Sequence, residues 1–286
     1  MSDPNFPVAL DIRPSVPSND DSNPRDFDLT FQEDAIRDFG IAGRVWEAAY
    51  VLNTYIKPPR NLVFDPPFTP FDGPNRIVEL GSGTGMNAAM VAGLLDPSRD
   101  ILFATDLPEV CPLLERNLRS HKSIHIQPLA WGNSQHAINL QSKLNNEPLT
   151  HILCSDLVYF PQLLAPLLRS LIHLTSSTFG DPQLILSYRI RSLAKETPFW
   201  AAFGLWFDFT PVLVQTHTDT PWERFGAELP DPTFVFVAHR RQESRDWTVP
   251  LSDTDLMSGL LAANSLPKTD DTFETLLFMS LDELTY

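Results

Sequence analysis

The feature that most constrains this chain is the run IVELGSGTGMN at residues 77–87. An apolar segment ends in an acid and three alternate glycines, and small and apolar residues follow directly over Ala88–Leu95. This order predicts a strand, a tight turn and a helix, because glycine adopts positive φ and lets the backbone approach a ligand closely. The first turn of the helix would direct free N–H groups at the same place. We therefore predict a nucleotide-type ligand site, the alternative being a turn without a ligand. Its predicted members are Glu79, Gly81, Ser82, Gly83 and Gly85.

The spacing of the glycines separates two classes of nucleotide. The dinucleotide fingerprint G-x-G-x-x-G requires a glycine where this chain has Met86, whereas the third glycine here is Gly85. The observed pattern E-x-G-x-G-x-G resembles the first motif of class I methyltransferases. That resemblance implies S-adenosylmethionine as the cofactor and makes an NAD-dependent oxidoreductase a distant alternative.

A second element of the predicted site is the apolar run Ile101–Thr105, which is followed by Asp106. Nucleotide-binding folds carry an acid at this place, because a carboxylate can bridge the two ribose hydroxyls. We predict that Asp106 and the adjacent Leu107 contact the cofactor. An acid at this position could instead cap the helix that begins near Glu109.

Composition and charge exclude several classes of function. The 286 residues suffice for one large α/β domain, and 43% of them are hydrophobic, as in a globular protein. The formal charge is −15, and residues 1–40 (nine acids, three bases) and 251–286 (seven acids, one base) each carry −6 of it. Without a basic stripe the chain is a poor candidate for binding nucleic acid, and an acidic surface would attract a basic partner. The acidic ends could equally serve solubility alone.

The cysteines and the apolar runs indicate where the protein acts. Cys111 and Cys154 are the two cysteines, and neither has the spacing of a metal site or of a disulfide framework. The N-terminus has no leader-type apolar run, and no apolar stretch approaches eighteen residues. We expect a cytoplasmic, monomeric protein without a metal ion and without a membrane span.

The order of the apolar runs predicts the fold class. From residue 76 onward short apolar strands alternate with helical segments, which is typical of a parallel sheet covered on both faces. The class is therefore α/β, with a doubly wound, Rossmann-like sheet. The predicted strands are Arg76–Leu80, Ile101–Thr105, Ile124–Leu129, His151–Ser155 and Leu184–Tyr188. The predicted helices are Asn87–Leu95, Val110–Arg119, Gln162–Thr175 and Thr197–Phe207.

Four further stretches flank this sheet. Phe27–Phe31 alternates apolar and polar residues, as an exposed strand does, and Gly43–Leu52 has the spacing of a helix. Val212–Val214 and Thr233–Ala238 are rich in β-forming residues and could pair antiparallel at one edge. We divide the chain into three parts: an N-terminal extension with its leading helix (1–75), a methyltransferase domain (76–246) and an acidic C-terminal extension (247–286).

In open α/β sheets the ligand binds beyond the carboxyl ends of the strands, so the residues at those ends are candidates for the site. Trp131 offers a flat surface for adenine, although a tryptophan at a strand end is equally often a core residue. An arginine after the fifth strand could steady Glu79 or an acidic part of a substrate, or be a surface charge. The candidates beyond the glycine turn and Asp106 are Trp131, Ser155, Asp156 and Tyr188–Arg191.

The segment Ser155–Pro161 makes the resemblance specific. It contains the pattern D-x-x-Y at Asp156 and Tyr159, and Val45–Ala49 upstream contains Trp46. With the glycine turn, the ribose acid and the Trp-Gly pair after the third strand, these landmarks resemble the seven-β-strand protein-lysine methyltransferases of methyltransferase-like 21 and elongation-factor methyltransferase type. The resemblance covers roughly residues 27–240. It implies a seven-stranded sheet that is mostly parallel with an antiparallel edge strand, and Thr233–Ala238 suits that strand.

The resemblance also implies roles for three residues. In that family the residues matching Asp156 and Tyr159 sit beside the methyl donor and help to position the lysine amine, and the one matching Trp46 closes over the cofactor. Methyl transfer needs a neutral amine, whereas the pKa of free lysine is near 10.4. Because a carboxylate favours the ammonium form, we assign Asp156 to alignment and capture of the substrate ahead of general-base duty. Without the resemblance, Asp156 could cap a helix, and Tyr159 and Trp46 could be core residues.

The leading hypothesis is therefore an S-adenosylmethionine-dependent protein-lysine N-methyltransferase whose partner is a protein with an exposed lysine. Elongation factor 1-alpha is the first candidate acceptor, because it is a basic and abundant partner for an acidic enzyme. A methyltransferase of small molecules, such as nicotinamide, and a non-catalytic cofactor-binding module remain open. The helical spacing of Trp200, Phe203, Trp206 and Phe207 indicates core residues more than a lysine channel.

Overall fold

The computed structural model describes residues 5–7, 10–16, 27–70, 72–217, 219–227, 229, 232–261 and 266–282. For residues 280–282 it describes the backbone alone. Its helices are α1 (Leu29–Phe39), α2 (Glu47–Ile56), α3 (Met86–Ala92), α4 (Cys111–Leu118), α5 (Ser134–Lys143), α6 (Pro161–Leu174), α7 (Leu193–Trp206), α8 (Asp253–Met257) and α9 (Thr272–Asp282). Its strands are β1 (Val63–Asp65), β2 (Arg76–Leu80), β3 (Ile101–Asp106), β4 (Ile124–Pro128), β5 (His151–Ser155), β6 (Gln183–Arg189), β7 (Phe207–Pro211), β8 (Leu213–Gln215), β9 (Glu223–Arg224) and β10 (Thr233–Arg240).

Seven strands form the central sheet in the order β4-β3-β2-β5-β6-β10-β7. The strands from β4 to β6 are parallel, whereas β10 is antiparallel to β6 on one side and to β7 on the other. The predicted α/β, doubly wound, Rossmann-like fold is confirmed. Its antiparallel pairings lie at one end of the sheet, where β10 contains the predicted Thr233–Ala238 and β7 is the outermost strand.

Alternation along each strand builds two apolar layers. In β2, Ile77 belongs to the core cluster on one face and Val78 to the cluster on the other. In β6, Ile185 belongs to the same cluster as Ile77, and Leu184 belongs to the same cluster as Val78. Residues of α2, α3 and α4 complete one cluster, and residues of α5, α6 and α7 complete the other. Because both faces are apolar, both must be covered by helices, as in other parallel sheets.

The aromatic residues predicted to lie in the core are buried there. Trp200, Phe203, Trp206 and Phe207 are fully buried. Trp200 also stacks on Phe273 of α9, with ring centroids 5.1 Å apart. Each such ring removes a large apolar area from water. A helix of the acidic C-terminal extension therefore packs on the core of the sheet, while the division of the chain into three parts stays a prediction.

The exposed strand predicted over Phe27–Phe31 is wrong, because helix α1 begins within this stretch. Asp28 precedes the helix, and its carboxylate accepts the N–H of Phe31 at 2.9 Å. An aspartate at this position satisfies one of the free donors of the first turn. The helix then buries Gln32 and Ala35, which lie three residues apart on one face. Five residues of alternation are too few to distinguish a strand from such a helix.

Three other predictions need correction. The helix predicted over Gly43–Leu52 begins four residues later, so Trp46 lies immediately before its first turn. No helix is predicted between the strands that became β4 and β5, yet helix α5 lies there, and Asn133 caps it by accepting the N–H of His136 at 3.1 Å. At this edge of the sheet β10 pairs with β7, and not with the whole of Val212–Val214 as predicted. Only Val212 contacts β10, by donating its N–H to the carbonyl oxygen of Val235, whereas β8 forms a small sheet with β1 and β9.

Candidate functional site

A cavity of about 340 Å³ opens at the carboxyl ends of β2 and β5. The strand order reverses between these two strands, and open α/β sheets bind ligands at such a switch point. Gly85 and the candidates Tyr188, Arg189 and Ile190 lie outside the cavity lining, whereas Arg191 belongs to it, as do the other predicted site residues. They are Trp46, Glu79, Gly81, Ser82, Gly83, Asp106, Leu107, Trp131, Ser155, Asp156 and Tyr159.

The turn after β2 requires glycine at three alternate positions. Gly81, Gly83 and Gly85 have φ angles of 59°, 52° and 83°, in the left-handed region that other residues rarely adopt. A Cβ atom at Gly81 would lie 2.7 Å from Leu157 Cδ2, and one at Gly83 would lie 3.1 Å from the carbonyl oxygen of Ala42. The turn is closely packed, and its backbone forms one wall of the cavity.

Gly85 faces the protein core, where a Cβ atom would lie 2.8 Å from Leu118 Cδ1 and 3.1 Å from Leu114 Cδ2. We expect Gly85→Ala to lower the free energy of unfolding by about 1–3 kcal/mol, because backbone strain and steric overlap add. Chemical unfolding measures the loss. Gly93→Ala is the matched control, since Gly93 ends the same helix with a φ of −67°, and it should change stability by less than about 0.5 kcal/mol. Equal stability of Gly85→Ala and wild type would contradict this account.

Asp106 ends β3 and faces the glycine turn. Its Oδ2 accepts the N–H of Gly83 at 2.8 Å, and its Oδ1 accepts the N–H of Leu107 at 2.7 Å. Removal from water raises the pKa of Asp106 to about 6, against the lowering effect of these two hydrogen bonds. Asp106 does not cap α4, whose N-cap is Val110. Each carboxylate oxygen keeps a free lone pair for a ligand hydroxyl.

Glu79, at 2% exposure, is a deeply buried acid of the cavity. Its Oε2 has no hydrogen-bond partner among the residues that the structure describes. Burial raises its pKa to about 8, although hydrogen bonds from Ser82 and from the N–H of Ala88 favour the charged form. A buried polar atom without a partner requires an explanation, and a cationic ligand group beside it would supply one.

The pH dependence of stability tests this burial. Because the folded-state pKa of Glu79 lies above its ordinary value of 4.5, protonation stabilises the folded state, and this contribution is lost as the pH rises from 4.5 through about 8. We expect Glu79→Gln, which stays neutral, to exceed wild type in stability by less than about 1 kcal/mol at about pH 5 and by about 4–5 kcal/mol at about pH 9. Chemical unfolding at both pH values measures the difference. An identical difference at the two pH values would mean that Glu79 does not titrate between them.

Asp156 has a φ of 61°, which aspartate tolerates better than most residues. Its N–H donates to the carbonyl oxygen of Ser187 at 2.8 Å, which ties it to β6. Its carboxylate forms a bidentate ion pair with Arg191: Oδ1 accepts from Nη1 at 2.6 Å, and Oδ2 accepts from Nη2. The arginine predicted to act after the fifth strand therefore binds Asp156 and not Glu79.

Trp46 lies beside two arginines at the cavity. Its indole N–H donates to the carbonyl oxygen of Ile41 at 3.0 Å. The guanidinium carbons of Arg44 and Arg191 lie 4.2 and 5.3 Å from its ring centroid. Such cation–π contacts fix both the ring and the guanidinium groups. The ring therefore joins the segment before α2 to the end of β6.

Two further aromatic rings line the same cavity. The rings of Trp131 and Tyr159 meet edge to face, with centroids 6.4 Å apart. Trp131 also approaches the glycine turn, since its Cζ2 lies 3.2 Å from the Cβ position of Gly81. Burial raises the pKa of Tyr159 far above its ordinary value, so the hydroxyl stays neutral and can donate a hydrogen bond.

One wall of the cavity has no counterpart in the predicted site. It is formed by Asn5 and Leu10 of the N-terminal segment, here residues 5–7 and 10–16. The carbonyl oxygen of Asn5 accepts the N–H of Ile41 at 2.9 Å. Farther along, the N–H of Ser15 donates to Gln32 Oε1 at 3.1 Å, and Gln32 Nε2 donates to the Ser15 carbonyl at 2.9 Å. The segment is thus anchored on α1, and no motif in its sequence marks this contact.

Within the described ranges, no group of three or more histidine, cysteine, aspartate or glutamate side chains is placed to hold a metal ion. No helix of those ranges combines the length and the apolarity needed to cross a bilayer. The charged groups of the cavity are carboxylates and arginines.

Known proteins resemble this chain at several levels. A family model described as lysine methyltransferase matches residues 23–202. Protein N-lysine methyltransferase METTL21A of Mus musculus is 32% identical over 161 residues, which are 54% of this chain and 64% of that protein, so slightly less than two thirds of the relative is spanned. METTL21A of Xenopus tropicalis is 26% identical over 189 residues, 64% of this chain and 76% of that protein. Among solved structures, an O-methyltransferase family 2 protein from Planctomyces limnophilus DSM 3776 superposes with a TM-score of 0.43 at 11% identity, covering 77% of this chain and 63% of that one.

The family model spans more than half of the chain and includes the glycine turn, Asp106, Asp156 and Arg191. The predicted family is thereby confirmed. This chain belongs to the lysine methyltransferase family.

Proposed function

We propose that this protein is an S-adenosylmethionine-dependent protein-lysine N-methyltransferase. The observation that carries the proposal is the cavity, which brings Glu79, Asp106, Asp156 and Tyr159 together from three strand ends in a member of this family. The METTL21A relatives are named for the same activity.

The residues of the cavity suit S-adenosylmethionine. The unpartnered Oε2 of Glu79 would accept from the cationic amino group of the cofactor's methionine part, and Asp106 would accept from its ribose hydroxyls. Trp131 offers a ring face to adenine, and the glycine turn permits a close backbone approach. When bound, the cofactor supplies a methyl group on a positively charged sulfur.

The chain's own residues orient the acceptor amine. The hydroxyl of Tyr159 and the Asp156–Arg191 pair line the same cavity and provide hydrogen-bonding groups on its wall. The lysine must first lose a proton to water, and its lone pair would then form an N–C bond to the methyl group that the bound cofactor would supply, the electrons of the C–S bond passing to sulfur. Enclosure of the amine at about 3 Å from the methyl carbon supplies the rate advantage, since positioning alone is worth several orders of magnitude.

Charge supports a basic protein as the acceptor. The chain carries −15, and most of this charge lies in its two ends. A field of this sign attracts a basic partner and raises the rate of encounter. We therefore propose elongation factor 1-alpha as the acceptor.

The test is incubation of the full-length protein with methyl-labelled S-adenosylmethionine and a cell extract. Label recovered as methyllysine in a protein band supports the proposal. Label that enters only small molecules would replace it with a small-molecule methyltransferase, and no label would leave a cofactor-binding module. Purified elongation factor 1-alpha is tested in parallel; if another protein is labelled and the factor is not, the acceptor assignment is wrong.

A further inference from the structure

The pair formed by Asp156 and Arg191 has a consequence for the protonation of the acceptor. The Asp156 side chain is 1% exposed and that of Arg191 is 28% exposed. Both carboxylate oxygens bind the guanidinium. Because breaking a buried pair leaves an uncompensated charge and typically costs several kcal/mol, an incoming lysine would meet an intact, neutral pair and not a free carboxylate.

Arg191 is held in place by groups other than Asp156. Its Nη1 donates to the carbonyl oxygen of Arg189 at 3.3 Å, and its backbone N–H donates to Glu196 Oε2 at 3.2 Å. Its guanidinium carbon lies 5.3 Å from the Trp46 ring centroid. Burial works against its charge, but the hydrogen bonds and charge of Asp156, together with the charges of Glu47 and Glu196, raise the pKa of Arg191. The pair is therefore preorganised before substrate arrives.

Two other carboxylates near this pair already have partners. Glu47 pairs with Arg44 and, at 2.8 Å, with Arg189. The carboxylate of Glu196 accepts the Tyr188 hydroxyl and two backbone N–H groups. A carboxylate without a counter-ion beside the amine would hold it as ammonium by raising its pKa by about one unit or more. The titratable groups that face this region are Arg44, Glu47, Glu79, Asp106, Asp156, Tyr159, Tyr188, Arg189, Arg191 and Glu196.

We propose that Arg191 is a positioning residue of the methyl-transfer site: by neutralising Asp156 it keeps the acceptor amine in its neutral, nucleophilic form. The inference rests on the proposed lysine methylation. In this arrangement Asp156 aligns the amine as part of a pair without net charge. Asp156 can therefore orient the amine without stabilising its protonated, unreactive form. The methyl transfer itself is unchanged, with the amine proton lost to water before the lone pair attacks.

The experiment is the pH profile of the maximal rate at saturating acceptor, which reports ionisation in the enzyme–substrate complex. The acceptor is the protein that the wild-type enzyme labels in cell extract, purified. We expect Arg191→Gln to move the midpoint of the rising limb upward by about one pH unit, so that the rate falls about tenfold below the midpoint and recovers at high pH. Arg191→Lys keeps a cation beside Asp156 and should keep the wild-type midpoint.

Arg189→Gln is the matched control. Arg189 lies two residues away and has a side chain of similar exposure, 23%, but it pairs with Glu47. The midpoint of the pH profile of Arg189→Gln should stay within about 0.3 pH unit of wild type, since Asp156 keeps its partner Arg191 in this variant. Calorimetry with S-adenosylmethionine verifies that each variant is folded, and Arg191→Met replaces Arg191→Gln if the latter does not bind.

The outcomes separate this inference from the proposed function. If the wild-type enzyme labels no protein, the proposed function fails and this inference falls with it. If the wild-type enzyme labels a protein but the neutral Arg191 variant keeps the wild-type midpoint, or loses rate equally at every pH, the inference alone is overturned. An equal midpoint shift in Arg189→Gln would also overturn it, because the effect would then be one of general charge.

Discussion

Asp156→Asn should lower the maximal rate of methyl transfer by about 10²- to 10³-fold while changing cofactor affinity less than about threefold. Asparagine tolerates the φ of 61° at this position, so the backbone should be retained. It cannot form the bidentate ion pair with Arg191, and both groups would lose their alignment toward the amine. Single-turnover transfer of labelled methyl groups measures the rate, and calorimetry measures cofactor binding.

Asp270→Asn controls for the loss of an arginine partner. Asp270 accepts from Arg241 Nη2 at 3.2 Å and is 16% exposed, outside the cavity lining. It should lose stability without losing rate. If Asp156→Asn transfers methyl groups at the wild-type rate, or if the Asp270 variant is slowed as much, Asp156 has no special place in the reaction.

The second large effect is expected on the binding of the cofactor. Asp106→Ala should weaken S-adenosylmethionine affinity by about 30-fold or more, because hydrogen bonds to a charged acceptor contribute about 1.5–3 kcal/mol. The variant loses the acceptor proposed for the ribose hydroxyls. It also leaves the N–H groups of Gly83 and Leu107 without their partner, which loosens the glycine turn. Isothermal titration of wild type and variant gives the ratio directly.

Asp100→Ala is the matched control for Asp106, because Asp100 lies immediately before the first residue of the same strand, at its opposite end. It is 6% exposed, and its two oxygens accept the N–H groups of Asn75 and Asp96, each at 2.8 Å. Both variants remove a carboxylate that accepts two backbone donors, yet Asp100 lies outside the cavity lining. A similar loss of cofactor affinity in the two variants would mean that Asp106 acts only through stability.

Much of the sheet could be predicted because its strands are short apolar runs bounded by turn residues. Arg76–Leu80 and His151–Ser155 are predicted with the bounds that the structure shows. The strand predicted over Phe27–Phe31 is wrong for a physical reason. The carboxylate of Asp28 caps a helix there, and five alternating residues are too few to indicate a strand against that cap. The sequence pattern predicts the central strands well, because burial on both faces makes each of them an uninterrupted apolar run. It predicts the elements that flank the sheet poorly.

The site divides in the same way. Glycine spacing and strand-end acids predict residues such as Gly83, Asp106 and Asp156, because these positions follow from backbone geometry and the topology of the sheet. The pairing of Arg191 with Asp156 could not be predicted, since it depends on two side chains 35 residues apart meeting across neighbouring strands. Arginines near a strand end were a usable signal, but sequence alone does not choose between carboxylate partners.

The N-terminal segment bears on how this protein should be handled. The family match begins at residue 23, yet Asn5 and Leu10 line part of the cavity. A polypeptide trimmed to the family borders would admit bulk solvent on that side and would present inhibitors with a shallower crevice than the whole molecule offers. Screening campaigns should therefore use the intact chain, and compounds that reach Leu10 would exploit a surface lying beyond the region matched by the family model.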